Sequence, residues 1–329
     1  MGWWEIDADT LAHSRFVVSA LAETTAGLLA LERGAAAHPG EQAWLDAHRG
    51  AYRERLAGDP VTAALVKAAV GRRWIADFLA PPPGEGEAGF EEELAVVRGT
   101  PVGTVRADLA VSLGGRPLPG VLRDRSDPAE RAAELLAWVW EETVRPSWPH
   151  RRRVIEAEVV ARAAQLSQGG WAAALDDLRP GMGWLGEGRL RVNPYGNPPR
   201  RIPGTGVTFV PVTPRHGWVA TDPARHRYAL VYPCSGALAA VDRPAVPEAL
   251  GRLLGAGRAG VLVLLGSPKS TTQLVALTGQ GLGSVGRHLK VLLDARLIGR
   301  RRAGRSVLYY RTAAGEALVE AQDARSEKV

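Results

Sequence analysis

Residues 284–311 have the sequence SVGRHLKVLLDARLIGRRRAGRSVLYYR, in which two periodicities follow one another. In the first half, Val285, Leu289 and Leu292 recur at helical spacing, which predicts an amphipathic helix with a buried apolar stripe. In the second half, side chains alternate with a period of two around Ala303 and Gly304, which predicts a β-hairpin. The sequence therefore predicts a helix that is followed directly by a hairpin.

Cationic side chains are concentrated in this same stretch. Residues 1–243 contain 28 basic and 29 acidic residues, a net charge of −1, whereas residues 244–329 contain 13 and 6, a net charge of +7. The net charge of +6 thus belongs to the C-terminal part, and a polyanion is the expected partner. The alternative is a charged surface that only contacts water. The cations of the stretch are Arg287, Lys290, Arg296, Arg300, Arg301, Arg302, Arg305 and Arg311.

The elements before this stretch complete an order of helix, turn, helix and hairpin. A short helix over residues 270–277 and a glycine-rich turn over residues 278–283 precede the amphipathic helix, as in a helix-turn-helix, and the hairpin corresponds to a wing. We therefore expect double-stranded DNA as the ligand. His288 has a second interpretation, as a polar residue on the flank of the helix. The expected DNA-binding residues are Ser284, Arg287, His288 and Lys290 on the helix and Arg300, Arg301, Arg302 and Arg305 on the hairpin.

Residues 244–322 resemble the winged helix of ArsR/SmtB-type bacterial repressors. The resemblance lies in the runs QLVAL (273–277), SVGRHLKVL (284–292), ARLI (295–298) and GRSVLYY (304–310). It implies a symmetric homodimer with one recognition helix and one wing per subunit, and repression that an inducer relieves. The thiol-based metal sensors of that family carry paired cysteines where this chain has Ser270 and Thr272, and no histidine follows His288. We therefore expect no metal site.

Other classes of protein fit the sequence poorly. Gly281, Gly283 and Gly286 match the spacing of a dinucleotide-binding loop, but a helix precedes them instead of a strand, so we expect no cofactor. Cys234 is the only cysteine. Together with His216 and His226 it could supply a nucleophile and a base, but these residues lie in a loop-rich β region without a nucleophile motif, so we expect no enzyme activity. The N-terminus lacks the pattern of a secretory signal, and no apolar run is long enough to cross a bilayer, so we expect a cytoplasmic protein without membrane contact.

The fold class expected from the sequence is mainly α with small β. Residues 1–243 are predicted to form a helical domain closed by a small antiparallel sheet, and residues 244–329 the winged helix-turn-helix. Predicted helices of the first domain cover residues 19–33, 41–56, 61–79, 129–144 and 151–168, and predicted strands cover residues 189–192, 206–212 and 228–232. The junction is placed at residues 242–244.

The tryptophans suggest a place for an effector. All ten lie within the first 218 residues, and a tryptophan-rich domain can line an apolar pocket. The alternative is ordinary core packing for the tryptophans and solvent exposure for the arginines beside them. The candidate effector-binding residues are Arg72, Arg73, Trp74, Trp138 and Trp140.

The sequence thus predicts a transcriptional regulator, a repressor that binds its operator as a homodimer and is released by a small molecule bound in the N-terminal domain, which also supports the dimer. The alternative is a ligand-binding or enzymatic N-terminal domain for which the winged helix mediates protein association. The identity of the effector, the operator and the regulated genes does not follow from the sequence.

Overall fold

The structure is a computed structural model that describes residues 2–36, 39–71, 74–86, 88–175, 178–179, 181–195, 197–234, 246–266, 268–278, 280–303 and 306–323. The chain divides into two compact units. Unit 1 comprises residues 1–151 and 162–238, and unit 2 comprises residues 152–161 and 239–329. The predicted junction at residues 242–244 lies outside the described residues. Residues 152–161 were predicted to belong to the N-terminal domain, but their contacts group them with the C-terminal part.

The described residues form a mainly helical protein with small sheets, as expected. The helices are α1 (Ala8–His13), α2 (Ala20–Arg33), α3 (Pro39–Gly58), α4 (Pro60–Ala69), α5 (Phe90–Arg98), α6 (Val102–Leu113), α7 (Gly120–Arg123), α8 (Pro128–Val139), α9 (Trp148–Leu175, kinked at Gly170), α10 (Glu248–Leu254), α11 (Ala256–Leu264), α12 (Thr271–Thr278), α13 (Leu282–Asp294) and α14 (Ala313–Asp323). The strands are β1 (Gly2–Glu5), β2 (Arg15–Phe16), β3 (Gly183–Gly186), β4 (Arg189–Asn193), β5 (Arg200–Arg201), β6 (Thr208–Val212), β7 (Trp218–Asp222), β8 (Arg227–Pro233), β9 (Lys269–Ser270), β10 (Ile298–Ala303) and β11 (Ser306–Arg311).

Helix α2 is the centre of unit 1. The hydroxyl of Ser19 accepts a hydrogen bond from the backbone N–H of Ala22 at 2.9 Å, and this cap starts the helix where the sequence predicts it. Residues 20–31 are buried on every side of the helix. A helix that is buried on every side belongs inside a core, and α2 accordingly packs against helices α3, α5 and α8 on one side and strand β6 on another.

The prediction of one antiparallel sheet was wrong, because the described strands of unit 1 form two mixed sheets. Their strand orders are β3-β4-β1-β5 and β2-β6-β8-β7, and the pairs β1–β5, β2–β6 and β6–β8 are parallel. Strands β1 and β2 come from the N-terminus and are too short to give a periodic signal. The parallel pairings depend on contacts between distant parts of the chain, which no local pattern reveals.

Strand β8 shows why its sheet is apolar on both faces. Ala229 and Val231 pack toward Ala22 and Ala26 of α2, whereas Tyr228, Leu230 and Tyr232 contribute to a second core. That core also contains Trp4 of β1, Leu175 of α9 and Leu190 of β4. A strand that is covered on both faces has no polar side to display, which explains the continuous apolar run at residues 228–232.

Two predicted helices end earlier than their apolar patterns suggest. Helix α4 begins at Pro60, after the cap Asp59 and one residue before the predicted start, but it ends at Ala69. A 3-10 turn over Asp77–Leu79 lies at the end of the predicted range 61–79. Helix α8 begins after Asp127 and gives way at Trp140 to a π-helical turn that extends to Val144. Hydrophobic periodicity predicted the existence of these helices but not where they stop.

Candidate nucleic-acid interface

Unit 2 is built around helices α11 to α14 and a three-stranded sheet of order β10-β11-β9. Its core combines side chains from every one of these helices with Ile298 of β10. Strand β9 was not predicted, because Lys269 looks like the end of a break between helices and Ser270 like the start of the next helix. They pair with Tyr309 and Leu308 of β11, and this pairing connects the start of α12 to the hairpin.

Local hydrogen bonds define where α12 begins and α13 ends. The backbone N–H of Gln273 donates to the hydroxyl of Ser270 at 3.2 Å, and the backbone N–H of Ser270 donates to the side chain of Gln273 at 2.7 Å, which is a capping box. At the end of α13, Leu297 N–H donates to Leu292 C=O at 3.0 Å and Arg296 N–H donates to Leu293 C=O at 2.9 Å, with Arg296 at φ 56°. These bonds form a Schellman motif that stops the helix before the hairpin.

Helix α13 separates buried apolar from exposed cationic side chains. Val285, Leu289 and Leu292 are buried, as the periodicity predicts. Arg287 and Lys290, spaced i and i+3, are exposed on another face. Neither side chain has an ion pair or a hydrogen bond within the part of the chain that the structure describes.

Ser284 and His288 hold the turn between α12 and α13 together. The hydroxyl of Ser284 donates to Oε1 of Gln280 at 3.1 Å, and Nε2 of His288 lies 3.0 Å from the same oxygen. The imidazole also lies against Gly257 of α11, where a Cβ would come within 2.6 Å of it. Burial first, and repulsion from Arg258 and Arg287 second, lower the pKa of His288. Both side chains are half-buried, and these contacts favour the flank interpretation of His288.

The hairpin β10–β11 presents three consecutive arginines. Arg300, Arg301 and Arg302 pair in antiparallel register with Tyr309, Leu308 and Val307, and all three arginine side chains are exposed. They form no ion pair with any residue that the structure describes. Arg305, predicted at the hairpin tip, lies outside the described residues.

Arg311 differs from the other cations of the predicted stretch. Its Nη1 lies 2.8 Å from Oε1 of Glu316 in α14, and its Nε donates to Leu262 C=O of α11 at 2.8 Å. The side chain is largely buried, with 9% of its surface exposed. Arg311 therefore joins α11, β11 and α14 and is not available to a ligand.

The structure does not bring the predicted effector-binding residues together. Trp140 is buried and stacks on Phe90 with ring centroids 4.6 Å apart, and the ring of Trp138 lies 5.3 Å from the guanidinium carbon of Arg55. Both belong to the helical core or its edge. Trp74, in contrast, is half-buried and lines a cleft on the sheet side of unit 1. Arg72 and Arg73 lie outside the described residues.

The cleft beside Trp74 gathers residues that the sequence analysis missed. Arg33, Arg179 and Arg215 line it together with His216 and Trp218. Arg33 ends α2, Arg179 follows α9, Arg215 and His216 precede β7, and Trp218 begins β7. These residues are therefore far apart along the chain. No motif links them, and only the folded chain brings them together.

The described residues contain no cluster of three or more His, Cys, Asp or Glu side chains that could hold a metal ion. No described helix combines the length and apolar composition needed to span a membrane. The chain matches no model of a known protein family, no curated protein and no solved structure. The geometry of the site and its sequence pattern are therefore the basis of the proposals that follow.

Proposed function

We propose that the protein is a DNA-binding transcriptional regulator, a repressor that binds its operator as a homodimer through a winged helix-turn-helix made of α12, α13 and the β10–β11 hairpin. The observation that carries the proposal is the set of exposed cations on α13 and β10 that have no acidic partner among the described residues. Fixed positive charges without intramolecular partners, placed next to a helix-turn-helix order, favour a polyanion.

Helix α13 has suitable dimensions for the major groove. Its 13 residues span about 20 Å at about 1.5 Å per residue, and the groove is about 12 Å wide. Arg287 and Lys290 would face the base edges, where an arginine can make a bidentate contact with guanine. Gly286, between the buried Val285 and the exposed Arg287, has nothing within 4 Å of a Cβ position, so a ligand can approach the helix backbone closely there.

The arginines of β10 would supply affinity without sequence information. Arg300, Arg301 and Arg302 project from a hairpin, which reaches phosphates beside the groove that the helix occupies. Contacts of this kind release counterions from the duplex, and their contribution therefore falls as the salt concentration rises. Arg305 follows Arg302 by three positions in the sequence, and we propose that it also contacts a phosphate.

The homodimer and the effector follow from the resemblance of this part of the chain to ArsR/SmtB-type repressors. A twofold axis would place two recognition helices in major grooves about 34–36 Å apart on a pseudo-palindromic operator. An effector would release the operator only by binding the two conformations of the regulator with unequal affinity.

The test is duplex binding by the full chain, measured by fluorescence anisotropy over a series of salt concentrations. One duplex carries the DNA upstream of the protein's own gene and the other a shuffled sequence. Replacing Arg300, Arg301 and Arg302 by alanine should weaken binding to both duplexes and reduce the salt slope by about 0.9 for each lost phosphate contact. Arg252→Ala is the matched control, because Arg252 is an exposed arginine of α10 in the same unit.

Two results would contradict the proposal. An unchanged salt slope in the triple variant would reject the hairpin as a phosphate-binding element. A chain that is monomeric by native mass spectrometry and does not bind either duplex at low salt would reject DNA binding altogether and favour a role of unit 2 in protein association.

A further inference from the structure

Unit 1 contains a cleft made of two neighbouring cavities. The larger has a volume of about 440 Å³ and the smaller a volume of about 270 Å³. Both are lined by Trp74, Asn193, Asn197 and Val219, so they form one continuous depression beside strands β4 and β7. Its total volume is in the range of clefts that hold small organic ligands.

The lining of the cleft is positively charged. Arg33, Arg179 and Arg215 border the larger cavity and Arg200 the smaller, and none of the described lining residues is acidic. Loss of hydration lowers the pKa of Arg179 to about 10. It also lowers the pKa of Arg33; the interaction with Tyr195 opposes this effect, and repulsion from Arg215 adds to it. Like charges held close together without a counter-ion favour the binding of an anion.

Three nitrogen atoms in the cleft lack hydrogen-bond partners. Nε1 of Trp218 and Nδ1 of His216 in the larger cavity, and Nε1 of Trp3 in the smaller, are buried without a partner among the described residues. Trp218 as a whole is only 7% exposed. Most buried polar groups in native proteins are paired.

The smaller cavity has a different character. Trp3, Trp4 and Trp74 line it together with Pro198 and Pro199, and these side chains present flat apolar surfaces. Aromatic rings stack favourably on such surfaces. The cleft is thus apolar at one end and cationic at the other.

We propose that this cleft binds a small organic acid that has a flat ring system and a carboxylate or phosphate group. The ring system lies among Trp3, Trp74 and Pro198. The anionic group forms ion pairs with Arg33, Arg179 and Arg215. A concave site of this size admits a small molecule and excludes a duplex. The inference is independent of the proposed DNA binding, because every lining residue belongs to unit 1.

The ligand probes are 2-naphthoate and its uncharged counterpart 2-naphthamide, which have the same ring system and differ in the charge of the substituent. We expect the full chain to bind one 2-naphthoate with a dissociation constant of about 1 mM or lower in isothermal titration calorimetry. The amide should bind at least about tenfold more weakly, because it leaves the arginines without a counter-charge. A parallel titration with 2-naphthyl phosphate shows which anionic group the cleft prefers.

The variant that tests the site is the double substitution Arg33→Gln and Arg215→Gln. Both side chains are exposed, so the fold should persist, and circular dichroism checks this directly. Binding of 2-naphthoate should fall at least about tenfold. The matched control is Arg189→Gln with Arg225→Gln, which removes two exposed arginines of the same unit that pair with Glu187 and Asp222, and which should leave binding unchanged.

A second variant keeps the charges and tests the aromatic surface of the cleft. Trp74→Ala removes a half-buried side chain that lines both cavities and should weaken the binding of 2-naphthoate by about five- to tenfold, because a ring contact is lost. Absence of binding by both anions at millimolar concentration would overturn the inference. So would equal affinity for the acid and the amide, or equal affinity of the arginine variant and its control.

Discussion

Arg151 of unit 1 and Arg287 of unit 2 differ in burial and in their partners. In unit 1, Arg151 is completely buried, and its Nη1 lies 2.6 Å from Oε1 of Glu23, which is also completely buried. Glu23 further accepts a hydrogen bond from the backbone N–H of Thr213 at 2.7 Å, and the guanidinium lies 5.0 Å from the ring of Trp44. In unit 2, Arg287 and its neighbours are exposed and unpaired within the described residues.

The difference follows from the cost of removing a charge from water. A buried cation requires a partner, because an isolated charge in the interior is strongly unfavourable. An exposed cation is stabilised by water and requires none, so an unpaired cluster persists only where the surface stays open. The charge of Arg151 therefore stabilises the interior of unit 1, whereas the charges of Arg287 and Lys290 on α13 are available for a ligand.

The largest expected effect is in the buried pair. Arg151→Met should lower the free energy of unfolding by about 3–5 kcal/mol, because it leaves Glu23 charged and buried without its cation. Urea unfolding monitored by circular dichroism measures the change. Arg152→Met is the control, since the neighbouring side chain is exposed and should contribute less than about 0.5 kcal/mol. If the two variants lost a similar free energy of unfolding, the stabilising role of the buried pair Arg151–Glu23 would be contradicted.

The next effect concerns the exposed cations. Arg287→Ala should leave stability almost unchanged and should reduce the preference for the operator over shuffled DNA by about 1–3 kcal/mol, because a bidentate base contact is lost. Anisotropy titrations on both duplexes measure it, with Arg252→Ala as control. An equal loss on both duplexes would instead assign Arg287 to a phosphate contact.

The buried carboxyl of Asp77, which forms no salt bridge among the described residues, lies between these two cases. Burial raises the pKa of Asp77 to about 7; repulsion from Asp108 and Asp222 adds to this effect, and the hydrogen bond from Thr221 and attraction to Arg200 oppose it. The folded state then holds a proton that the unfolded state releases above pH of about 4, so stability should fall as pH rises from about 4 to about 7. Asp77→Asn should remove most of this pH dependence, because the amide does not titrate. Urea unfolding at a series of pH values tests it, and an unchanged pH profile would contradict the assignment.

The smallest expected effect compares two glycines. A Cβ at Gly71 of unit 1 would come within 2.4 Å of Ser112 C=O, whereas a Cβ at Gly286 of α13 meets nothing within 4 Å. Gly286→Ala should therefore stabilise the protein by about 0.5–1 kcal/mol through higher helix propensity, while it weakens DNA binding. Gly71→Ala should destabilise the protein. Thermal unfolding measures stability, and anisotropy measures DNA binding. Unimpaired DNA binding by Gly286→Ala would exclude close approach of DNA at this turn of α13.

Local signals predicted elements in both units. The apolar stripe of α13 and the hairpin around residues 303–306 are as predicted, and α2 and α4 begin within one residue of their predicted starts. Each of these features depends on neighbours in sequence. Glu93 shows where such signals fail. It looks like part of an exposed acidic face, but it is buried and accepts a hydrogen bond from the backbone N–H of Leu21 at 2.9 Å.

The amino-acid sequence alone determined the helical character of the chain, the concentration of positive charge in residues 244–329 and the helix–turn–helix–hairpin order, because periodicity, capping and charge are properties of short segments. Tertiary structure alone decided the parallel pairing of β6 with β8, the buried contact of Arg151 with Glu23 and the arginine-lined cleft. Each of these joins residues far apart along the chain, and their proximity is set by which apolar surfaces the whole chain buries.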